Sequence, residues 1–368
     1  MNSGSSSEKI IYFYHGLVDK NTYMLPRLLS SLLRIPFFKQ FFFIFPGIEQ
    51  ALSTKRAENS ETISVEITPS SLGVFKSNWE MRPNALERLK QVDVDYVSFH
   101  APYVNDGSVN QKGNQSYLDN IFDLTEDTSL NLFCLVSHFQ AMDYLTPGKR
   151  KKVLVVHPLP ASGDKSETEI IKSSAKLLKK VLPLMKDLNI YMGIENMPWM
   201  KKKHERYTRY IGGIPFFEKL MNEINDDSVG ITFDFGHANS YARYMYNNGF
   251  KDEETGIDFT SEYIAKFGYH KDFLTKLKDK IFHLHLNYNN AHIVGEKAPF
   301  YASNYDYHGD LTQLTESDYN NFKEALAIVK DSPVLLSMVL EIIPSFFSQK
   351  SRLAKYNTSV EVLRSMVK

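Results

Sequence analysis

Short runs rich in β-branched and aromatic residues recur along the chain, separated by stretches in which an apolar residue returns every three or four positions. That alternation is the signature of repeated βα units wound around a parallel sheet. Eight runs qualify as strands, at 10–15, 62–68, 94–100, 153–157, 190–195, 229–234, 281–286 and 334–341. Their near-continuous hydrophobicity suits strands covered on both faces. Between them, Asn84 ahead of Glu87 and Ser166 ahead of Glu169 place an oxygen acceptor before an apolar helical rhythm and mark helix starts. In the helix after Ser166, Ile170, Leu177, Leu178 and Val181 share the face expected to meet the sheet. The predicted fold class is α/β, a (β/α)8 TIM barrel.

A chain of 368 residues accommodates this as one domain over 9–368, after a Ser- and Gly-rich disordered tail at 1–8. The tail has neither the basic start nor the apolar run of a signal peptide. The first βα segment is enlarged, and insertions are expected near 105–150 and 239–271. Within the enlarged segment, Phe37, Phe38, Phe41, Phe42, Phe43 and Phe45 crowd together in 35–48. The wider segment 24–48 is interrupted by Arg27, Arg34 and Lys39 and broken by Pro26, Pro36 and Pro46, whereas a membrane span needs about 20 mostly apolar residues. An extra helix and loop packed on the barrel is expected, without stable membrane insertion.

Hydrophobic residues make up 43% of the chain and charged residues 23%, enough for a sizeable buried core. Lys plus Arg equals Asp plus Glu at 43 each, so no global positive field draws in nucleic acid. A local patch formed by Lys201, Lys202, Lys203, Arg206 and Arg209 is either a phosphate contact or a solvated loop. The basic run 149–152 precedes a strand, on the opposite face, and is expected to be solvated. Cys134 stands alone, which rules out an internal disulfide and suits a small core residue in a reducing, cytoplasmic setting.

The chemistry gathers at the ends of the strand runs. Six of the eight finish on, or within a residue of, a metal-type ligand: His100, His157, Glu195, Asp234, His285 and Glu341. In a (β/α)8 barrel the C-terminal strand ends converge on one face, so these residues meet in one pocket. His237, Asp306 and His308 follow in loops. Burying an unpaired carboxylate costs several kcal/mol unless a cation or donors compensate, which core packing alone does not supply for Glu195 and Glu341. Mixed imidazole and carboxylate ligands suit zinc first, with manganese or iron as alternatives, ahead of calcium and magnesium. The expectation is two or three divalent metal ions, with Glu195, Asp234 and Glu341 as catalytic carboxylates. His138, His204, His270 and His292 lack a partner at ligand spacing and read as surface or packing residues. His283 shares a strand face with His285 and is a candidate donor behind it, while Asn196 and Asn287 are placed to orient their neighbours.

The segments His100-Ala101-Pro102-Tyr103, Val156-His157-Pro158, Ile194-Glu195-Asn196, Asp234-Phe235-Gly236-His237-Ala238, His285-Leu286-Asn287, Asp306-Tyr307-His308 and Leu340-Glu341-Ile342 resemble, in the same order, the motifs of endonuclease IV, the abasic-site DNA repair family. The loop Asn78-Trp79-Glu80-Met81-Arg82-Pro83 is similar to that family's loop after the second strand. The resemblance implies three metals: one on His100, His157 and Glu195, a second on Glu195, Asp234, His285 and Glu341, a third on His237, Asp306 and His308. It implies phosphodiester hydrolysis at abasic or damaged sites in DNA, with Tyr103, Trp79, Arg82 and Asn196 as substrate contacts. Tyr103 is equally readable as a hydrogen-bonded aromatic at the rim. The chain departs from that pattern at Met197-Pro198-Trp199-Met200, at Gly236 where the family usually has cysteine, and at Gly309-Asp310-Leu311-Thr312.

The same residues also resemble the wider xylose isomerase-like superfamily. Glu195-Asn196-Met197-Pro198 and Asp234-Phe235-Gly236-His237-Ala238 look like its sugar-processing members. There, Glu195, Asp234, His285 and Glu341 would hold one metal, and a small sugar or sugar phosphate would be isomerised or epimerised by proton transfer beside its carbonyl. A barrel that binds metal and partners without catalysis is the third reading. Because the chain carries His100, His157, Asp306 and His308, which the isomerases do not need, the sequence ranks the phosphodiesterase first.

Overall fold

The computed structural model describes residues 10–14, 64–69, 74–76, 79–91, 95–101, 122–148, 150–159, 165–198, 210–289, 308–341 and 349–367. Strands β1 (Ile10–Tyr14), β2 (Ser64–Ile67), β3 (Asp95–His100), β4 (Lys152–Val156), β5 (Ile190–Glu195) and β6 (Val229–Asp234) follow in chain order. After them come a short antiparallel pair, β7 (Lys251–Asp252) and β8 (Ile257–Asp258), then β9 (Ile281–Leu286) and β10 (Ser337–Leu340). All but the short pair join, parallel throughout, in a closed barrel of order β1-β10-β9-β6-β5-β4-β3-β2. This is the (β/α)8 barrel the hydrophobic pattern predicts. Central strands β4, β6 and β9 are buried at every position, because helices cover the sheet from outside and side chains fill it from within.

Helices sit where the apolar rhythm places them, at α1 (Pro83–Lys90), α2 (Ser129–Leu145), α3 (Glu167–Asp187), α4 (Ile214–Ile224), α5 (Phe235–Asn247), α6 (Ser261–Ala265), α7 (Gly268–Leu277), α8 (Glu316–Ala327) and α9 (Gln349–Val367). Ser166 caps α3 through a reciprocal box: its hydroxyl accepts from the Glu169 N–H while Glu169 accepts from the Ser166 N–H. Ile170, Leu177, Leu178 and Val181 are buried as expected. Asn84 is not a cap. Pro83 fills the first helical position and Arg82 precedes it without a side-chain cap, because proline's fixed φ starts the helix earlier than the Asn-x-x-Glu spacing suggests.

The stretch expected as an insertion at 105–150 carries α2, whose Cys134, Leu135, Phe139, Ala141 and Met142 are buried; 105–121 lies outside the described residues. The stretch at 239–271 holds most of α5, the β7–β8 pair and α6. Lys152 corrects the expectation of a solvated basic run. It is fully buried at the start of β4, where its ammonium donates to Asp143 at 2.9 Å and to the Leu188 carbonyl at 3.1 Å. A buried lysine needs that pairing. No helix among the described residues is long and apolar enough to cross a membrane. The tail 1–8, the Phe-rich stretch 35–48, Tyr103, Asp306, His204, His292 and the patch Lys201, Lys202, Lys203, Arg206 and Arg209 lie outside the described residues.

Candidate metal centre

The parallel barrel brings the C-terminal ends of its strands to one face, and the expected ligands stand there. His100 ends β3, His157 follows β4, Glu195 ends β5, Asp234 ends β6, His285 is next to last in β9 and Glu341 follows β10. Each is more than nine-tenths buried, as are His237 and His308. Glu195 occupies the centre. Its Oε2 lies 2.7 Å from His157 Nε2 and 3.2 Å from His100 Nε2, while its Oε1 lies 3.0 Å from His285 Nδ1. Glu341 Oε2 approaches the same His285 nitrogen at 2.9 Å, and Glu341 Oε1 lies 3.4 Å from His308 Nδ1. His237 and His308 turn their Nε2 atoms toward each other at 3.1 Å.

Donor atoms within 4.8 Å of one another form the groups His100, His157 and Glu195; Glu195, Asp234, His285 and Glu341; and Asp234, His237 and His308. These match the ligand sets read from the sequence, except that Asp234 joins the third group and Asp306 is outside the described residues. The surroundings fit divalent ions. A carbonyl can only accept, so His100 Nδ1 donates to the Ala101 carbonyl at 2.8 Å and His237 Nδ1 to the Asn196 carbonyl at 2.8 Å. Both rings therefore turn Nε2 inward, the nitrogen that a metal would bind in place of a proton.

The electrostatics point the same way. Burial alone would raise the carboxyls of Glu195 and Glu341. Adjacent histidines outweigh it, His285 and His157 for Glu195 and His308 and His285 for Glu341, and hold both well below the usual carboxylate range. Burial pushes the Asp234 carboxyl up to about 6, against the pull of His237 and His308. For His285 burial favours the neutral ring, yet Glu341, Glu195 and Glu66 drive its affinity for a proton well above the ordinary value. Without a cation these carboxylates favour a proton on His285 and His100; a metal ion would supply the same positive charge.

Asparagines lock the frame. Asp234 caps α5, its Oδ1 accepting from the His237 N–H at 2.5 Å, while its Oδ2 accepts from Asn287 Nδ2 at 2.7 Å. Asn196 straps the strand ends together: Nδ2 donates to the Asp234 carbonyl at 3.1 Å and Oδ1 accepts from the Asp234 N–H at 2.7 Å. At Gly236 an added Cβ would lie 1.9 Å from Asn287 Oδ1, so the cysteine of endonuclease IV does not fit beside Asn287. Trp79 is packed, 6.0 Å between ring centroids from both Phe75 and His138, and Arg82 is exposed. One buried carboxylate beside the site escaped the sequence reading. Glu66 on β2 is fully buried, 3.1 Å from His285 Nε2 and 2.9 Å from His283 Nε2. The signal was present, since an acid inside a barrel strand raises the same question as Glu195.

The family description "Xylose isomerase-like TIM barrel" matches residues 140–366, which include Glu195, Asp234, His285 and Glu341. The chain belongs to the xylose isomerase-like TIM barrel family. Among solved structures the chain is similar to D-psicose 3-epimerase with D-tagatose from Clostridium cellulolyticum, at 11% identity over 98% of this chain and 99% of that one, TM-score 0.54. It is similar to a D-tagatose 3-epimerase-like protein, at 19% identity over 98% and 97% of the two chains, TM-score 0.52. A xylose isomerase domain protein of Alicyclobacillus acidocaldarius matches at 12% identity over 97% and 98%, TM-score 0.52. At these identities the likeness is one of fold. An uncharacterized protein of Methanocaldococcus jannaschii is 30% identical over 92 residues, which span 24% of this chain and 29% of that protein. Membership is of the wider family; the narrower resemblance to endonuclease IV rests on the ligand motifs alone.

Proposed function

We propose that this protein is a metal-dependent isomerase or epimerase of a small sugar or sugar phosphate. The observation that carries the reading is the convergence of Glu195 and Glu341 on His285 Nδ1, at 3.0 and 2.9 Å, beside Asp234. The two glutamates come from strands on either side of β9. A divalent ion held by Glu195, Asp234, His285 and Glu341 would supply Lewis acidity to a substrate carbonyl and so acidify the neighbouring C–H. One carboxylate removes that proton and the C–H electron pair moves toward the carbonyl. A proton returned to the same carbon from the opposite face inverts it; a proton returned to the former carbonyl carbon, with the neighbouring hydroxyl proton passing to the former carbonyl oxygen, moves the carbonyl along the chain. The buried walls exclude water, and Asn196 and Asn287 hold Asp234 still throughout. Family membership and two neighbours named as epimerases support this reading over DNA repair.

A specific observation favours a second reading. The groups His100, His157 and Glu195, and Asp234, His237 and His308, are more ligands than a one-metal isomerase uses, and they suit hydrolysis of a phosphodiester such as an abasic site in DNA. The test is a panel of ketoses and sugar phosphates incubated with zinc- or manganese-loaded protein in deuterated water, alongside an abasic-site duplex. Deuterium exchange at the carbon beside the carbonyl, lost in Glu195→Gln, is expected. Strand cleavage of the duplex without exchange would overturn the sugar reading in favour of the second.

A further inference from the structure

One layer below the strand-end ligands the lumen of the barrel is polar. The pleat alternates side chains between inside and outside, so the positions two residues before His100, Asp234 and His285 face inward with them. These are Ser98, Thr232 and His283. Glu66 is paired in register with Ser98, and His283 with both Thr232 and Ser337, so Glu66 and Ser337 lie in the same layer. All are at most 4% exposed. Barrel interiors are ordinarily filled by branched apolar residues, so an acid, an imidazole and three hydroxyls at this depth need a reason. Among the described residues Ser98 Oγ and Thr232 Oγ1 have no hydrogen-bond partner.

We propose that Glu66, His283 and Nε2 of His285 form a second cation site inside the barrel, joined to the strand-end cluster through the ring of His285, which gives up its remaining N–H proton to water and bridges as imidazolate when both positions are filled. Glu66 Oε2 and His283 Nε2 stand 2.9 Å apart, a separation that a shared proton or a shared cation sets. Two donors bound side by side to one zinc-sized ion, at bonds of about 2.0–2.2 Å, lie roughly 3 Å apart. The separations of 2.9 Å here and 3.1 Å between Glu66 Oε1 and His285 Nε2 have that spacing. A carboxylate with two imidazoles is also a ligand set that zinc takes in enzymes, with a fourth position left for water or a hydroxyl. Ser337 Oγ, 2.5 Å from His283 Nδ1, fixes that ring with its Nε2 toward Glu66, as outer partners of metal-bound histidines do. His285 faces metal-type ligands with both nitrogens, Nδ1 toward Glu195 and Glu341 and Nε2 toward Glu66. The site takes a divalent cation whichever reaction the upper cluster performs.

The direct test is the full-length protein, stripped with a chelator and crystallised with Zn2+, with anomalous differences measured at the zinc absorption edge. A peak within bonding distance of Glu66 Oε2, His283 Nε2 and His285 Nε2 is expected. Absence of anomalous density there, whether the position holds a water or nothing and whatever the upper cluster holds, would overturn the proposal. In solution, Glu66→Gln and His283→Gln should each bind one zinc fewer per chain than the unaltered protein. Unchanged stoichiometry in folded variants would overturn it as well, and the crystal test stands if either variant fails to fold.

Discussion

His138 and His270 on the one hand and His285 on the other are equally buried and electrostatically opposite. His138 on α2 and His270 on α7 lie in the helical layer at 0% and 1% exposure, each with one ring nitrogen donating to a backbone carbonyl, of Cys134 and of Phe235, at 2.8 Å. Aromatic rings surround them: Phe75 at 4.5 Å from His138, Phe267 at 4.6 Å from His270. Burial pushes both down to about 4, so they stay neutral. His285, at 0% exposure in the barrel mouth, meets the same burial, but Glu341, Glu195 and Glu66 drive it the other way. Burial therefore does not mark a functional histidine in this fold. The carboxylates that the strand ends bring to it do.

The largest effect that would break this contrast comes from removing the shared carboxylate. Glu195→Ala should cost at least one metal per chain and about 10²–10⁴-fold in proton transfer. Elemental analysis of the purified variant reads the first, and full metal retention would contradict the central place of Glu195. Acid separates the two sets next. His138 and His270 have folded values near 4, below the ordinary value of about 6.5, so the unfolded chain takes up protons first as the pH falls. The stability they contribute is complete above about pH 6.5 and is lost between there and pH 4, at about 1.4 kcal/mol per pH unit for each. Urea midpoints of metal-free protein across that window should slope less steeply in His138→Leu and His270→Leu than in the parent. An identical slope would mean that these rings do not titrate as buried neutral groups.

Smaller changes sharpen the comparison from the site side. Asp306→Ala should remove only an ion held with His237 and His308, leaving the ions on Glu195 in place when metals are counted. Gly236→Ala should be milder still. Its Cβ would displace Asn287, which holds Asp234 Oδ2, and metal affinity should fall about 10-fold in competition with a chromophoric chelator. Unchanged affinity would show that Asp234 keeps its geometry without Asn287.

The barrel was legible because its strands are hydrophobic through and through, and the ligands because each stands at the end of such a run. Glu66 was not, because it sits inside a short strand, one position before the end, where the expectation was an apolar interior. The strap from Asn196 to the Asp234 backbone was not legible either, because it joins the ends of β5 and β6 across the sheet. The start of α1 was misplaced because Asn84 and Glu87 satisfy the spacing of a capping box while Pro83 already fits the first turn. Lys152 read as solvated because its partner Asp143 comes from the preceding helix and the Leu188 carbonyl from the end of the next. Each is a tertiary contact that local pattern does not encode.

The central claim is that the strand ends hold a divalent ion on Glu195, Asp234, His285 and Glu341 and not a set of paired acids and histidines. Counting metals per chain in the unaltered protein and in Glu195→Ala, after zinc loading and exhaustive dialysis, tests it most directly. At least one tightly held ion per chain is expected in the parent, with at least one fewer in the variant. A parent that retains none, or a variant that retains as many as the parent, would contradict the claim.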